Sequence, residues 1–332
     1  MKSTMIQRLS IIFLLATNLI YAQSGQQFAN IGDFTTIEGN IIRDCKIGYR
    51  TVGELNADKS NAVLWPTWFT GTSEQIINYG FTNSLIDTTG LYIILVDALT
   101  NGVSSSPSNT PEFPGISIRD MVNSQHELLV NHLEINHLYA VMGISMGGMQ
   151  TFEWVVAYPD FMDKAIPIAG TPKQSSYDIL VWQTMADLME EAGNNKGNLD
   201  FAYKRSHNIL LMNVNTPTFM ANSLSPDSLE NYLNNEYDRL MAPEDYLGGL
   251  NAMIPHDIYK SAESSPAEIK NIIKANMLVI SATQDHLVNP ISAMELSKQL
   301  NAQLVTLLGD CGHGSFGCES EKIKKAITTF LE

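Results

Sequence analysis

The sequence predicts an α/β fold: a mostly parallel central sheet flanked by helices, with a helical cap inserted into it. Short continuous apolar runs such as Leu91–Val96, Leu138–Met142 and Met277–Ile280 have the pattern of strands covered on both faces. Helical patterns fall between many of these runs, and strands that alternate with helices form parallel sheets. The alternation stops between about Thr171 and Asp257, where Met, Leu, Tyr, Asn and Asp mix in helix-like segments without a parallel strand.

In chain order, extended segments are expected at Ile41–Val52, Ala62–Pro66, Leu91–Val96, Leu138–Met142, Ala165–Ile168, Met277–Ile280 and Leu304–Leu308. Helices are expected at Ile118–His132, Met146–Tyr158, Pro290–Leu300 and Glu319–Leu331. Residues 23–170 and 258–332 then form the two parts of one core, and 171–257 the cap between them. Pro217, Pro226 and Pro243 lie in the cap, and a proline inside a helix removes a hydrogen bond and clashes with the preceding turn. Several short cap helices are therefore expected.

A chain of 332 residues, 44% of them hydrophobic, can bury a large core without a metal or a disulfide framework. Acidic residues outnumber basic ones 35 to 20, and the net charge of −15 repels nucleic acid phosphates and anionic lipid surfaces. Nucleic acid is thereby excluded as an expected partner. Lys2 and Arg8, the apolar run Leu9–Ile20 and then Ile20-Tyr21-Ala22 have the three-part layout of a secretory signal, so residues 1–22 are expected to be removed on export to the periplasm or the exterior. That run is too short to span a bilayer, which needs about 20 apolar residues, and no later stretch is long enough.

Three cysteines permit one bridge in an oxidising compartment. Cys311 and Cys318 bracket a histidine and stand either as a bridge that stiffens its loop or as two thiols. Cys45 is expected to be a buried small apolar residue. The oligomeric state is left open, a homodimer included.

The motif that carries chemistry is Gly143-Ile144-Ser145-Met146-Gly147-Gly148, placed after the Leu138–Met142 strand and before a helical pattern. In a nucleophile elbow the backbone turns so sharply that larger side chains around the serine would collide with neighbouring elements. The turn lifts the Ser145 hydroxyl above the sheet and directs the Met146 amide towards a developing oxyanion. No Gly-Lys-Ser or Gly-Lys-Thr follows, as a phosphate loop would require.

A serine hydroxyl is a weak nucleophile until a base takes its proton, and that base must itself be oriented. The expected order along the chain is Ser, Asp, His. Asp285 follows the Met277–Ile280 strand and His313 follows Leu304–Leu308, so both lie on loops at strand ends. Among seven histidines, His286 is the main rival base; Asp310 is the rival acid. His126, His132 and His137 read as surface residues; His207 and His256 lie in the cap, where they are expected to be solvated, with a substrate role as the alternative. A second oxyanion donor is expected from the loop after Ala62–Pro66, with the Phe69 amide favoured; losing one such donor costs on the order of 3 kcal/mol.

With these residues in place, the chain resembles the homoserine O-acetyltransferase family of α/β-hydrolase-fold enzymes. The resemblance rests on Ile47-Gly48-Tyr49-Arg50-Thr51-Val52-Gly53-Glu54-Leu55-Asn56, on Thr70-Gly71-Thr72, on Ser117-Ile118-Arg119-Asp120-Met121-Val122, and on Gly143 through Glu153-Trp154. It implies the α/β-hydrolase fold with a helical cap, a serine that takes an acetyl group from acetyl-CoA, and a cap arginine for the substrate carboxylate, for which the inserted segment offers Arg205 and Arg239. The family usually has Asp after the catalytic histidine, where this chain has Gly314. Acetyl-CoA is moreover a cytoplasmic metabolite, so an exported protein would lack that donor.

The expected activity is therefore hydrolysis of a small ester by Ser145, His313 and Asp285, with water as acceptor and no metal or organic cofactor. Acetyl transfer from acetyl-CoA to homoserine or a similar hydroxyl is the alternative. A non-catalytic binding protein on the same scaffold is the third reading, although all three triad residues are present.

Overall fold

A computed structural model describes residues 25–194 and 197–332. The expected signal segment, 1–22, lies outside the described residues.

Among the described residues, ten strands and thirteen α-helices follow one another. The first part of the chain holds β1 (Gln27–Asn30), β2 (Phe34–Thr35), β3 (Ile41–Ile42), β4 (Lys46–Val52), β5 (Ala62–Pro66), α1 (Ser73–Asn78), α2 (Phe81–Ser84) and β6 (Tyr92–Val96). Then come α3 (Ile118–Glu127), β7 (Leu138–Ile144), α4 (Met146–Ala157) and β8 (Met162–Ile168). Between β8 and β9 (Asn276–Ala282) the chain passes through α5 (Ser176–Asn194), α6 (Leu199–Val214), α7 (Pro217–Ser223), α8 (Leu229–Tyr237), α9 (Pro243–Met253) and α10 (Ile258–Ser261). It ends with α11 (Ile291–Leu300), β10 (Gln303–Leu307), α12 (Ser315–Cys318) and α13 (Ser320–Leu331).

Eight strands form one sheet in the order β1-β4-β6-β5-β7-β8-β9-β10. The β1–β4 and β4–β6 pairs are antiparallel and all others are parallel. The central strand β5 is buried at every residue, as its unbroken apolar sequence requires. Two hydrophobic clusters cover the two faces: one contains Leu64, Val141, Phe152 and Trp154, the other Trp65, Met142, Ile323 and Ile327. This assigns the chain to the α/β class with a mostly parallel sheet.

Two local expectations are corrected. The extended segment Ile41–Val52 is broken: Asp44 takes φ 46° and its amide donates to Asp33 Oδ1, so the chain turns between β3 and β4. The segment between β8 and β9 is not uniformly short-helical either. Apart from Pro172, ahead of α5, every proline there lies beyond residue 216, which leaves α5 and α6 free to run for 19 and 16 residues. Pro217 and Pro243 instead start α7 and α9, where a missing amide hydrogen costs nothing.

The two ends of this helical segment are fastened together. Lys173 bridges to Asp257 in an antiparallel pair, the Ile258 amide donates to Pro172 O at 2.9 Å, and Lys173 Nζ lies 3.1 Å from Asp257 Oδ2.

Candidate active site

The elbow forms where β7 passes into α4. Ser145 precedes the helix with φ 58° and ψ −119°, a left-handed conformation that L residues adopt only under constraint. Its amide donates to Ile168 O of the neighbouring strand at 2.9 Å. A Cβ on Gly143 would lie 2.3 Å from Gly147 O, and one on Gly147 would lie 2.6 Å from Pro66 O. The tight turn therefore depends on both glycines. Met146 is the first residue of α4, so its amide has no acceptor within the helix and is free for an incoming oxygen.

Asp285 and His313 converge from the loops after β9 and β10. His313 Nδ1 lies 2.6 Å from Asp285 Oδ2, with both side chains buried. The amides of Leu287 and Val288 donate to the other carboxylate oxygen at 2.9 and 2.8 Å. Because the carboxylate accepts, Nδ1 holds the proton and Nε2 is the basic nitrogen. Ser145, His313 and Phe69 line one cavity of about 370 Å³ beneath the inserted helices.

The histidine loop is held from two sides. Cys311 and Cys318 form a disulfide around it, and Thr216 Oγ1 at the start of α7 donates to Asp310 O. The rivals fall elsewhere: His286 is exposed and lines a different hollow, while Asp310 meets α7 through its carbonyl. Cys45 is buried and unbridged, and burial pushes its thiol up to about 12.

The loop carrying Phe69 is pinned from below. Gln150 Nε2 donates to Thr67 O at 3.0 Å, and Asn101 Nδ2 donates to Gly71 O at 3.1 Å. Asp97 accepts from the amide and the hydroxyl of Ser73, both at 2.7 Å. The Phe69 ring packs against Trp182 and Tyr246, and the residue also lines the cavity.

Arg205 is a correction. It points outwards from α6, stacks over Phe201 at 4.8 Å and does not reach the cavity. The reason is helical phase: His207, Leu210 and Leu211 occupy the inward stripe of α6, and position 205 falls on the other side. Arg239 is the arginine at the cavity, paired with Glu236 at 3.5 Å.

His207 and His256 are corrected as well, since both are buried. His256 Nε2 donates to Thr171 O at 3.0 Å, and its Nδ1 lies 3.8 Å from Glu153, which also pairs with Arg119. His126 stacks on Tyr158 at 3.9 Å and is half-buried.

Asp178 had no motif to mark it. It is buried at the start of α5, accepts from the Ser175 amide at 2.8 Å, and takes the Asn289 amide at 2.9 Å from the loop that carries Asp285. Burial holds its carboxyl above the ordinary value, and the nearby Asp285 charge adds to the rise. Only the Ser175-x-x-Asp178 spacing, a helix-start signature, was available to find it. Among the described residues no cluster of His, Cys, Asp and Glu could hold a metal ion, and no helix is long and apolar enough to cross a membrane.

The alpha/beta hydrolase fold family matches residues 69–317. An ethyl acetate hydrolase of Pseudomonas veronii is 41% identical over 172 residues, 49% of this chain and 49% of that protein, so the chain matches about half the length of that relative. A homoserine O-acetyltransferase of Methanohalophilus mahii is 29% identical over 342 residues, 90% of this chain and 70% of that one. The crystal structure of an acetylester hydrolase from Corynebacterium glutamicum superposes with a TM-score of 0.85 at 28% identity, covering 92% of this chain and 96% of that one. Relatives of this chain are thus named both as esterases and as homoserine O-acetyltransferases. With its sheet order, its elbow between β7 and α4, and a family match over most of its length, the chain belongs to the alpha/beta hydrolase fold family.

Proposed function

We propose that this protein is an exported ester hydrolase acting on small acetyl esters through an acyl-enzyme. The observation that carries the reading is the buried His313–Asp285 pair facing the cavity into which the elbow serine opens.

Ser145 Oγ attacks the acyl carbon while His313 Nε2 takes its proton, and Asp285 holds the ring and stabilises the imidazolium. The amides of Met146 and Phe69 face the tetrahedral oxyanion. His313 then protonates the leaving alcohol. Water, deprotonated by the same imidazole, attacks the acyl-serine and releases the acid. This sequence consumes only the ester and water, with no metal or organic cofactor.

Two relatives named for ethyl acetate and acetylester hydrolysis support a short acyl group, and the signal-like segment 1–22 supports export. Transfer from acetyl-CoA to homoserine finds less support, because Gly314 follows the histidine, Arg205 faces away from the cavity, and Arg239, which lines it, is paired with Glu236.

Release of p-nitrophenol from p-nitrophenyl acetate by the purified protein tests the proposal, run beside acetyl-CoA plus homoserine. Hydrolysis that depends on Ser145 is the expected outcome. Acetyl-homoserine formation without appreciable ester hydrolysis overturns it, and failure of both reactions favours a binding role.

A further inference from the structure

The cavity above Ser145 has one polar wall that the triad does not use. His207 projects into it from α6 and is only 7% exposed, yet neither ring nitrogen has a hydrogen-bond partner. Its Nε2 lies 3.8 Å from Glu236 Oε2 on α8, beyond hydrogen-bonding distance. Buried imidazoles are ordinarily bonded to protein or water, so a pair of orphaned nitrogens aimed into a ligand-sized cavity marks a place where the occupant supplies the partner.

The chemistry of that partner follows from the two groups. A neutral imidazole offers one donor and one acceptor, whereas a carboxylate offers acceptors only. The His207 imidazole beside Glu236 holds its carboxyl below the ordinary value, and Arg239 at 3.5 Å adds to the effect, so Glu236 stays ionised. Arg239 and Glu236 offset each other's charge, so neither a carboxylate nor a cation on the ligand meets a net opposite charge at this wall. Hydroxyl groups fit both partners: one donates to Glu236, another exchanges a hydrogen bond with His207. Leu210, Leu211, Leu287 and Phe316 form an apolar part of the lining that suits the acetyl methyl and carbon chain, while Thr70, Asn215 and Tyr232 add further polar groups.

We propose that His207 and Glu236 form a hydroxyl-binding subsite, so that the preferred substrates are acetyl esters of polyhydroxy alcohols. The inference rests on the acetyl-ester reading above, since an acetyl group carries no hydroxyl and the hydroxyls must then belong to the alcohol portion.

Comparing kcat/KM for glycerol monoacetate and propyl acetate tests it. The unaltered protein prefers the glycerol ester; His207→Leu lowers the ratio about tenfold, and His207→Gln, which keeps a donor and an acceptor, retains most of it. Glu236→Gln, nearer the surface, lowers the ratio too and stands in if His207→Leu does not fold. Calorimetric binding of glycerol monoacetate to Ser145→Ala needs no turnover and should weaken about tenfold when His207→Leu is added. A ratio unmoved by both His207→Leu and Glu236→Gln overturns the subsite while leaving hydrolysis standing. His207-dependent binding by a protein that hydrolyses neither ester keeps the subsite and removes the hydrolase.

Discussion

His313 Nδ1 lies 2.6 Å from Asp285 Oδ2, and neither side chain has appreciable contact with solvent. The pair is anchored independently of the serine. Two backbone amides fix the far oxygen of the carboxylate, and Asp178 fixes the next turn of the same loop through the Asn289 amide. A base positioned in this way can act without reorganising as charge develops.

Asp285→Asn should therefore cost far more activity than stability. The retained amide oxygen still accepts from Leu287 and Val288, but the new NH2 group faces His313 Nδ1 and favours the tautomer with the proton on Nε2. A loss of about 10³–10⁴ in kcat on p-nitrophenyl acetate is expected, with little change in melting temperature. A loss of less than tenfold would show that the pair does not orient the base.

Gly147→Ala should damage the elbow directly. The added Cβ would lie 2.6 Å from Pro66 O, a backbone atom held within the central sheet. The expected destabilisation is about 1–3 kcal/mol, read by denaturant unfolding, with a parallel fall in hydrolysis.

Reducing the Cys311–Cys318 bridge should loosen the loop that carries His313. The short loop it closes gives a stabilisation of about 2 kcal/mol. The Cys311→Ser, Cys318→Ser double variant should unfold at lower denaturant and lose kcat more than KM, since the base moves while the cavity wall stays.

Acid should weaken the fold through His256. Burial holds this imidazole below its ordinary value of 6.5, against the opposing pull of Glu153 and Asp257, with Arg119 on the side of lowering. The unfolded chain then binds a proton that the folded one refuses. Stability should fall as the pH drops below about 6.5, by at most about 1.4 kcal/mol per unit while the folded ring stays neutral. Unfolding of His256→Asn should show a flatter dependence between about pH 6.5 and 5. An identical slope would assign the effect to other groups.

The core was legible because its signals are local. The runs at β5 through β9 and the Gly-x-Ser-x-Gly turn are read within a few residues, and Asp285 and His313 followed from strand ends. The break at Asp44 was not legible, because it depends on an acceptor from Asp33, eleven residues away. The antiparallel edge strand β1 likewise has only four residues and one buried side chain. The cavity wall failed for a related reason. Arg205 and His207 are two positions apart on one helix, and which of them faces inwards depends on how α6 sits against its neighbours. Arg119 and Glu153, part of the family likeness, form an ion pair between α3 and α4 in which Glu153 is buried and Arg119 partly exposed. Their pattern reported packing rather than chemistry.

The proposed hydrolysis requires that His313 make Ser145 nucleophilic. Treatment with a fluorophosphonate, followed by intact-mass and peptide analysis, reads this step. One adduct is expected, on Ser145, formed by the folded protein and slowed by several orders of magnitude in His313→Ala. Labelling at another residue, or labelling of Ser145 at an undiminished rate in His313→Ala, would contradict it.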